Sequence, residues 1–296
     1  MSDVLALFAN FPSVGEEFTK IEGRSVRNLI RLNLDGFEIE IHQDHNIVIE
    51  GISKLRGCWI HTSNVLVKKV PKARLPFVKT LLGDLADILA FESGSPVHFF
   101  GYEFPAESGL WHRWNSFGEL DPSWSIAEHL LETSVSGFVE GVWPRYRALK
   151  KERRLRTVIE YLVQADKSDQ FLELRLVIGF LILENLKDTY VRVAGIPFYK
   201  GYFRRIKTGR TSLSEAPRYS FEALLTEMLK EQRTRRGIKR IVKLRNELIH
   251  SGVSRLPYRS ARKIYIDMMQ LIREYLLRLL RYKGAYISYG GTVRKV

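Results

Sequence analysis

Between Arg27 and Val70 apolar and polar positions alternate in short β-branched and aromatic runs, as in FEIEIH and NIVIEGI. The turn signals Asp35-Gly36 and Asp44-His45-Asn46 separate them, and the pattern predicts a small antiparallel sheet. The period then changes. Leu81, Leu82, Leu85 and Ile88 recur at helical spacing and predict a helix from about Pro76 to Phe91. Gly94 to Pro122 is rich in Gly, Pro and aromatics without a clear period, and one strand is expected there, at VHFFGYEF.

From Ser125 onward the pattern is helical. One helix is expected over Ile126–Val142, and a second opens in the basic run Lys150, Lys151, Arg153, Arg154, Arg156 and ends near Ala165. The next, Gln170–Val193, is apolar on almost all sides through LRLVIGFLIL, as befits a helix at the centre of a bundle. After a long connection, Gly195 to Tyr219, three more follow: Ser220–Glu231, Ile238–Ser251 and Ser260–Tyr282. The last carries the stripe Tyr265, Met268, Met269, Ile272, Leu276 and Leu279. The expected class is α+β, with a β-containing domain over residues 1–124, a helical connector over 125–149 and an all-α five-helix bundle within 150–296.

Composition adds a division of charge. The 296 residues carry net +14, but residues 1–150 hold 15 Lys+Arg against 19 Asp+Glu, or −4, and the remainder 32 against 14, or +18. So basic a half attracts polyanions, because each cation beside a phosphate backbone releases condensed counterions. RNA, DNA and an acidic membrane surface are the candidates; the alternative is that the charge serves only solubility. The single cysteine, Cys58, excludes an internal disulfide and a multi-thiolate zinc site. The first residues lack a basic n-region, and the longest apolar stretch, Leu176–Leu183, is too short for a bilayer span. A cytoplasmic protein with no membrane association is expected.

Chemistry concentrates in Arg245-Asn246-Glu247-Leu248-Ile249-His250-Ser251-Gly252. On a helix, Ile238, Ile241, Val242, Leu248 and Ile249 form one apolar stripe with Arg245 at its centre. A guanidinium cannot discard its charge, so on a core-facing stripe it needs a carboxylate, a phosphate or a wet cleft, unless it snorkels out at an edge. Asn246 and His250 lie one turn apart, with Lys239 and Lys243 alongside. Gly252 reads as the C-cap, which places His250 in the last turn, suited to proton transfer. Such a set fits RNA cleavage by transesterification: the ribose 2′-hydroxyl attacks its own phosphodiester, His250 moves protons, and Arg245 neutralises the developing phosphorane charge. No metal or cofactor is called for, and DNA, lacking the 2′-hydroxyl, would be a poor substrate.

RNELIH resembles the R-N-x-x-x-H motif of HEPN domains, helical modules many of which are ribonucleases, and the apolar LRLVIGFLILENL resembles their buried second helix. The likeness covers about residues 150–290. With the β-containing half in front, the arrangement resembles the ApeA type of anti-phage HEPN protein. The resemblance implies a HEPN five-helix bundle, with Arg245, Asn246 and His250 as catalytic set and Glu184 as an acidic group that would hold Arg245. It also implies a homodimer in which two motifs share one composite cleft, and a toxin-like or defensive role whose trigger or regulator acts on the N-terminal half.

Two basic stretches would guide RNA. Tyr199 to Arg210 interleaves aromatics with cations that include Arg204 and Arg205, and Lys230 to Lys243 adds Arg236, Lys239 and Arg240. His42, Asp44 and His45 read as turn polarity rather than a metal site, and Trp111, Trp114 and Phe117 as core. Two other readings stand beside the ribonuclease: a non-catalytic HEPN module that binds RNA or nucleotide, and an interaction protein whose basic half meets an acidic partner.

Overall fold

Alternating side chains build a sheet when one face finds cover. In the computed structural model, which describes residues 1–11, 13–21, 23–44, 57–105, 107–110, 125–126, 134–206, 212–234 and 237–296, the fold is mixed α+β. Its first seven strands are β1 (Ser2–Ala9), β2 (Glu17–Ile21), β3 (Arg24–Leu34), β4 (Phe37–Gln43), β5 (His61–Val70), β6 (His98–Phe104) and β7 (Glu107–Leu110). They form one antiparallel sheet in the order β2-β3-β4-β5-β1-β6-β7. Asp35 and Gly36 join β3 to β4 with φ of 52° and 82°, the paired positive values of a two-residue hairpin turn. Val4, Ala6, Phe8, Ile30, Ile39 and Val65 are buried among its inward residues.

The sheet is larger than the alternation from Arg27 to Val70 predicts. An interior strand, β1, is apolar throughout VLALFA, with Val4, Ala6 and Phe8 buried and Leu5 and Leu7 half-buried, and so uniformly apolar a run shows no alternation to read. The strand expected at VHFFGYEF is β6. Helix α1 (Leu75–Ser93) buries Val78, Leu81, Leu82, Leu85 and Leu89, touches β6, and sets Phe77 against Phe37 of β4, with ring centroids 6.1 Å apart. Helix α2 (Val135–Leu149) lies within the expected connector. Its Glu140 accepts the backbone N–H of Asn33 at 2.7 Å, and its Trp143 indole donates to Asp35 at 3.1 Å. The expected helix start at Ile126 falls partly outside the described residues, as do His45, Trp111, Trp114 and Phe117.

Five further helices follow: α3 (Leu155–Asp166), α4 (Leu172–Val193), α5 (Phe221–Glu231), α6 (Ile238–Ser251) and α7 (Tyr258–Leu279). Helix α4 packs against α5, α6 and α7. Gly179 permits its close approach to α7, because a Cβ there would stand 2.2 Å from the Met268 methyl. The whole stripe Tyr265 to Leu279 is buried. This part of the chain is not all-α, however. The connection after α4 folds a short hairpin, β8 (Phe198–Tyr199) and β9 (Tyr202–Phe203), where β-prone aromatics flank a Lys200-Gly201 turn with φ of 46° and 82°. A second hairpin, β10 (Ala285–Ile287) with β11 (Val293–Lys295), closes the chain.

The chain forms two compact units, Met1–Arg147 with Asp166–Ser168 and Arg281–Val296, and Ala148–Ala165 with Asp169–Leu280. Aromatic packing ties the last segment into the first unit, where the Tyr282 ring meets Phe138 edge-on at 5.0 Å and the Tyr289 hydroxyl donates to Asp166. Among the described residues no helix is long and apolar enough to cross a membrane.

One ion cluster on β3, β4 and β5 carries a measurable consequence. Glu40 is 7% exposed and accepts from Lys68 Nζ at 2.7 Å, with Arg31 Nε at 3.2 Å and His42 Nε2 at 3.3 Å. The Lys68 hydrogen bond, aided by His42 and Arg31 and opposed by burial, holds the carboxyl at about 2 against an ordinary 4.5. A depressed folded pKa stabilises above the unfolded value and loses that contribution as pH falls through the folded one. Glu40→Gln is therefore expected to cost roughly 1–3 kcal/mol at neutral pH. The gap between wild type and variant in urea unfolding should be full above the unfolded pKa and close as pH falls toward 2.

Candidate active site

Helix α6 forms between two glycines. Gly237 precedes it with φ of 70°, and Gly252 ends it with φ of 73°, its N–H donating to the Leu248 carbonyl at 2.9 Å. Ile241, Val242, Leu244 and Leu248 face the interior. Leu244 takes the place of Ile249 in the expected stripe, Ile249 being 55% exposed. Glu247 accepts the N–H of Arg255, and the Ser251 hydroxyl lies 2.7 Å from the Glu247 carbonyl and 2.8 Å from that of Val253. The turn after the motif is thereby tied back to the helix.

Arg245 falls within the buried stripe, as its spacing predicts, with its side chain 21% exposed. Its Nη2 donates to Glu184 Oε1 of α4 at 2.5 Å, and its Nη1 to Asn246 Oδ1 at 3.0 Å. The other carboxylate oxygen of Glu184 accepts from Lys187 Nζ at 2.6 Å. Both cations lie over the Phe221 ring of α5, Arg245 at 4.5 Å and Lys187 at 5.4 Å from its centroid. One carboxylate thus serves two cations, which leaves the cluster with net positive charge and a guanidinium locked in place. Asn246 is exposed, and its amide nitrogen has no partner among the described residues. That combination, a fixed cation beside a free amide donor, can receive a phosphate.

His250 is exposed in the last turn of α6, and no described residue hydrogen-bonds or ion-pairs with its ring. Five residues separate it from Arg245, so the two point about 140° apart around the helix. Arg245, Asn246 and Glu184 are therefore brought together, whereas His250 lies one turn beyond Asn246 and is directed away from Arg245. Lys239 and Lys243 are exposed on the His250 side, without ion-pair partners among the described residues. Arg204, expected to meet RNA, is 7% exposed and donates to the Ala216 carbonyl at 2.9 Å. Arg205 pairs with Glu227 at 3.2 Å and lies over Tyr219 at 4.8 Å. Arg236 falls outside the described residues.

Two members of the cluster escape sequence reasoning. Lys187 follows Glu184 by three helical positions, a spacing that puts them on one face and is legible in principle. Phe221 carries no such signal, since its role depends on α5 docking beside α4 and α6. Among the described residues no group of three or more His, Cys, Asp or Glu is placed to hold a metal ion. Compared with known proteins, the chain matches no family model, no curated protein and no solved structure.

A double-mutant cycle on Glu184→Ala and Arg245→Ala, read by chemical unfolding, should give a coupling of about 1–2 kcal/mol. A coupling near zero would mean that the carboxylate does not hold the guanidinium.

Proposed function

We propose that the chain is a HEPN-type endoribonuclease that cuts RNA by 2′-hydroxyl attack. The observation that carries this reading is the guanidinium of RNELIH, fixed by Glu184 from the long apolar helix and by its neighbour Asn246, at the end of a helix in the basic half of the chain. In the reaction a 2′-oxygen forms a bond to phosphorus while the bond to the departing 5′-oxygen breaks. His250 accepts the 2′-hydroxyl proton, a second imidazole returns a proton to the 5′-oxygen, and Arg245 with Asn246 stabilises the phosphorane oxygens. The products are a 2′,3′-cyclic phosphate and a 5′-hydroxyl, with atoms and charge balanced.

The separation of Arg245 and His250 around α6 supports a composite cleft, in which the second imidazole comes from another copy of the chain. Exposed apolar side chains at the α6–α7 turn fit the same assembly: Ile249 at 55%, Val253 at 60%, Leu256 at 37% and Tyr258 at 67% exposed. The sheet unit is then the receiver of a trigger that restrains or releases a defensive or toxic nuclease. A second reading, phosphate binding by the motif without cleavage, draws support from the bare position of His250.

The test is incubation of wild type, Arg245→Ala and His250→Ala with RNA and with DNA in excess EDTA. Expected is RNA-only cleavage by wild type, new ends bearing 2′,3′-cyclic phosphate, and a loss of about 10²–10⁴-fold in each variant with the fold intact by circular dichroism. Full activity in either variant would remove that residue from the mechanism. RNA binding by wild type without cleavage would favour the second reading.

A further inference from the structure

Along α6 runs a trough bounded by α5 on one side and α7 on the other. It consists of three adjoining cavities of about 310, 790 and 340 Å³. The first and second share Lys230 of α5, and the second and third share Arg240 of α6. The third is lined by Glu247 and so reaches the end of α6 that bears His250.

Six cations line this trough: Arg205, Lys230, Lys239, Arg240, Lys243 and Lys263. All are exposed, and apart from Arg205, which meets Glu227, none has an ion-pair partner among the described residues. Elsewhere in the same unit several cations are paired. Arg154 and Arg192 meet Asp188 at 3.6 and 3.0 Å, Arg156 meets Glu160 at 3.0 Å, and Arg278 meets Glu274 at 3.1 Å. Five cations without such a partner among the described residues, gathered along one concave strip, are a surface arranged for an external polyanion.

Of the four acids that line the trough, Glu227 is paired with Arg205 and Glu247 accepts the N–H of Arg255, and the other two refine the ligand. Glu222 and Asp267 line the central cavity, and neither pairs with the cations around it. They repel a bare string of phosphates but accept hydrogen bonds from 2′-hydroxyls and base amino groups. The floor is apolar, with Ile238, Ile241 and Ile264. An apolar floor beneath a row of cations suits a single strand, whose base faces are exposed, rather than a duplex, which keeps them stacked inside.

We propose that this trough is the binding track for single-stranded RNA and delivers the strand to the motif at the end of α6. The inference rests on the reading of RNA as the motif's substrate and names the form of RNA it takes. Lys230, Arg240 and Lys263 hold backbone phosphates; Glu222 and Asp267 touch sugars and base edges.

The test uses full-length His250→Ala protein, which keeps the probe whole, and fluorescence anisotropy of a short labelled unstructured RNA, alone and annealed to its complement. Adding Lys230→Ala, Arg240→Ala and Lys263→Ala should weaken single-strand binding by at least about tenfold and reduce the salt slope by about 2. A control triple, Arg154→Ala, Arg156→Ala and Arg192→Ala, should stay within about twofold. The glutamine versions of the trough triple should behave as the alanine ones, which separates charge loss from misfolding. Unchanged binding in the trough triple, equal loss in the control, preference for the duplex or no RNA binding by the parent would each overturn the track. Trough-dependent binding by a protein whose wild type does not cleave would sink the nuclease and keep the track. Cleavage with trough-independent binding would do the reverse.

Discussion

An arginine cannot be neutralised, and α6 places one within its buried stripe. Everything around the candidate site answers that constraint. Glu184 must approach from α4, which requires α4 to run beside α6; one carboxylate then holds two cations, and Phe221 supplies a ring beneath both. Removing the carboxylate leaves two positive groups side by side over an aromatic face, with a guanidinium Nε already buried and unpartnered. The pair is about a quarter exposed, so its value lies less in stability than in orientation. A guanidinium with its position fixed before a phosphate arrives loses little freedom on binding it.

The two units solve their polar problems in different ways. In the sheet unit, Glu40 gathers Arg31, His42 and Lys68 into a cluster that satisfies itself across three strands. Arg147 likewise joins Asp84 and Asp35 and stacks on Phe77. In the helical unit the same economy holds for α3, α4 and the outer turn of α7, yet stops at the trough. The charge asymmetry of the sequence, −4 against +18, is expressed in part as a concave strip most of whose cations have no acid partner among the described residues.

Legibility followed periodicity. Five helices after residue 150 were readable because each carries a stripe at 3.6-residue spacing or, for α4, an apolar run too long for a strand. The ends of α6 were readable because Gly252 is a C-cap with a mechanism. The Arg245–Glu184 contact was not legible from spacing, since 61 residues separate the partners; it came only as what the family resemblance implied. Strand β1 was missed because VLALFA is apolar at its half-buried positions as well as its buried ones and so shows no alternation, and the β8–β9 hairpin because four residues are too few to show one. Arg204 illustrates a different limit. In sequence a basic run beside tyrosines reads as a surface, and only the fold turns one of its arginines inward to the Ala216 carbonyl.

Burial decides what a cation is for. Arg204 and Arg245 stand in similarly basic stretches, and both are drawn inward by their elements. Arg204 ends on a backbone carbonyl, which satisfies part of its donor set and leaves it inside; its work is to hold the connection after the hairpin. Arg245 ends on a carboxylate at the lip of the site, beside an asparagine that still has an amide to give. The trough lysines meet no acid among the described residues. Three fates for one kind of charge, structural, positioned and free, separate within one unit of the chain. On the proposed reading their order is functional: free cations gather the strand, the positioned one receives the reacting phosphate, and the structural one keeps the surrounding chain in place.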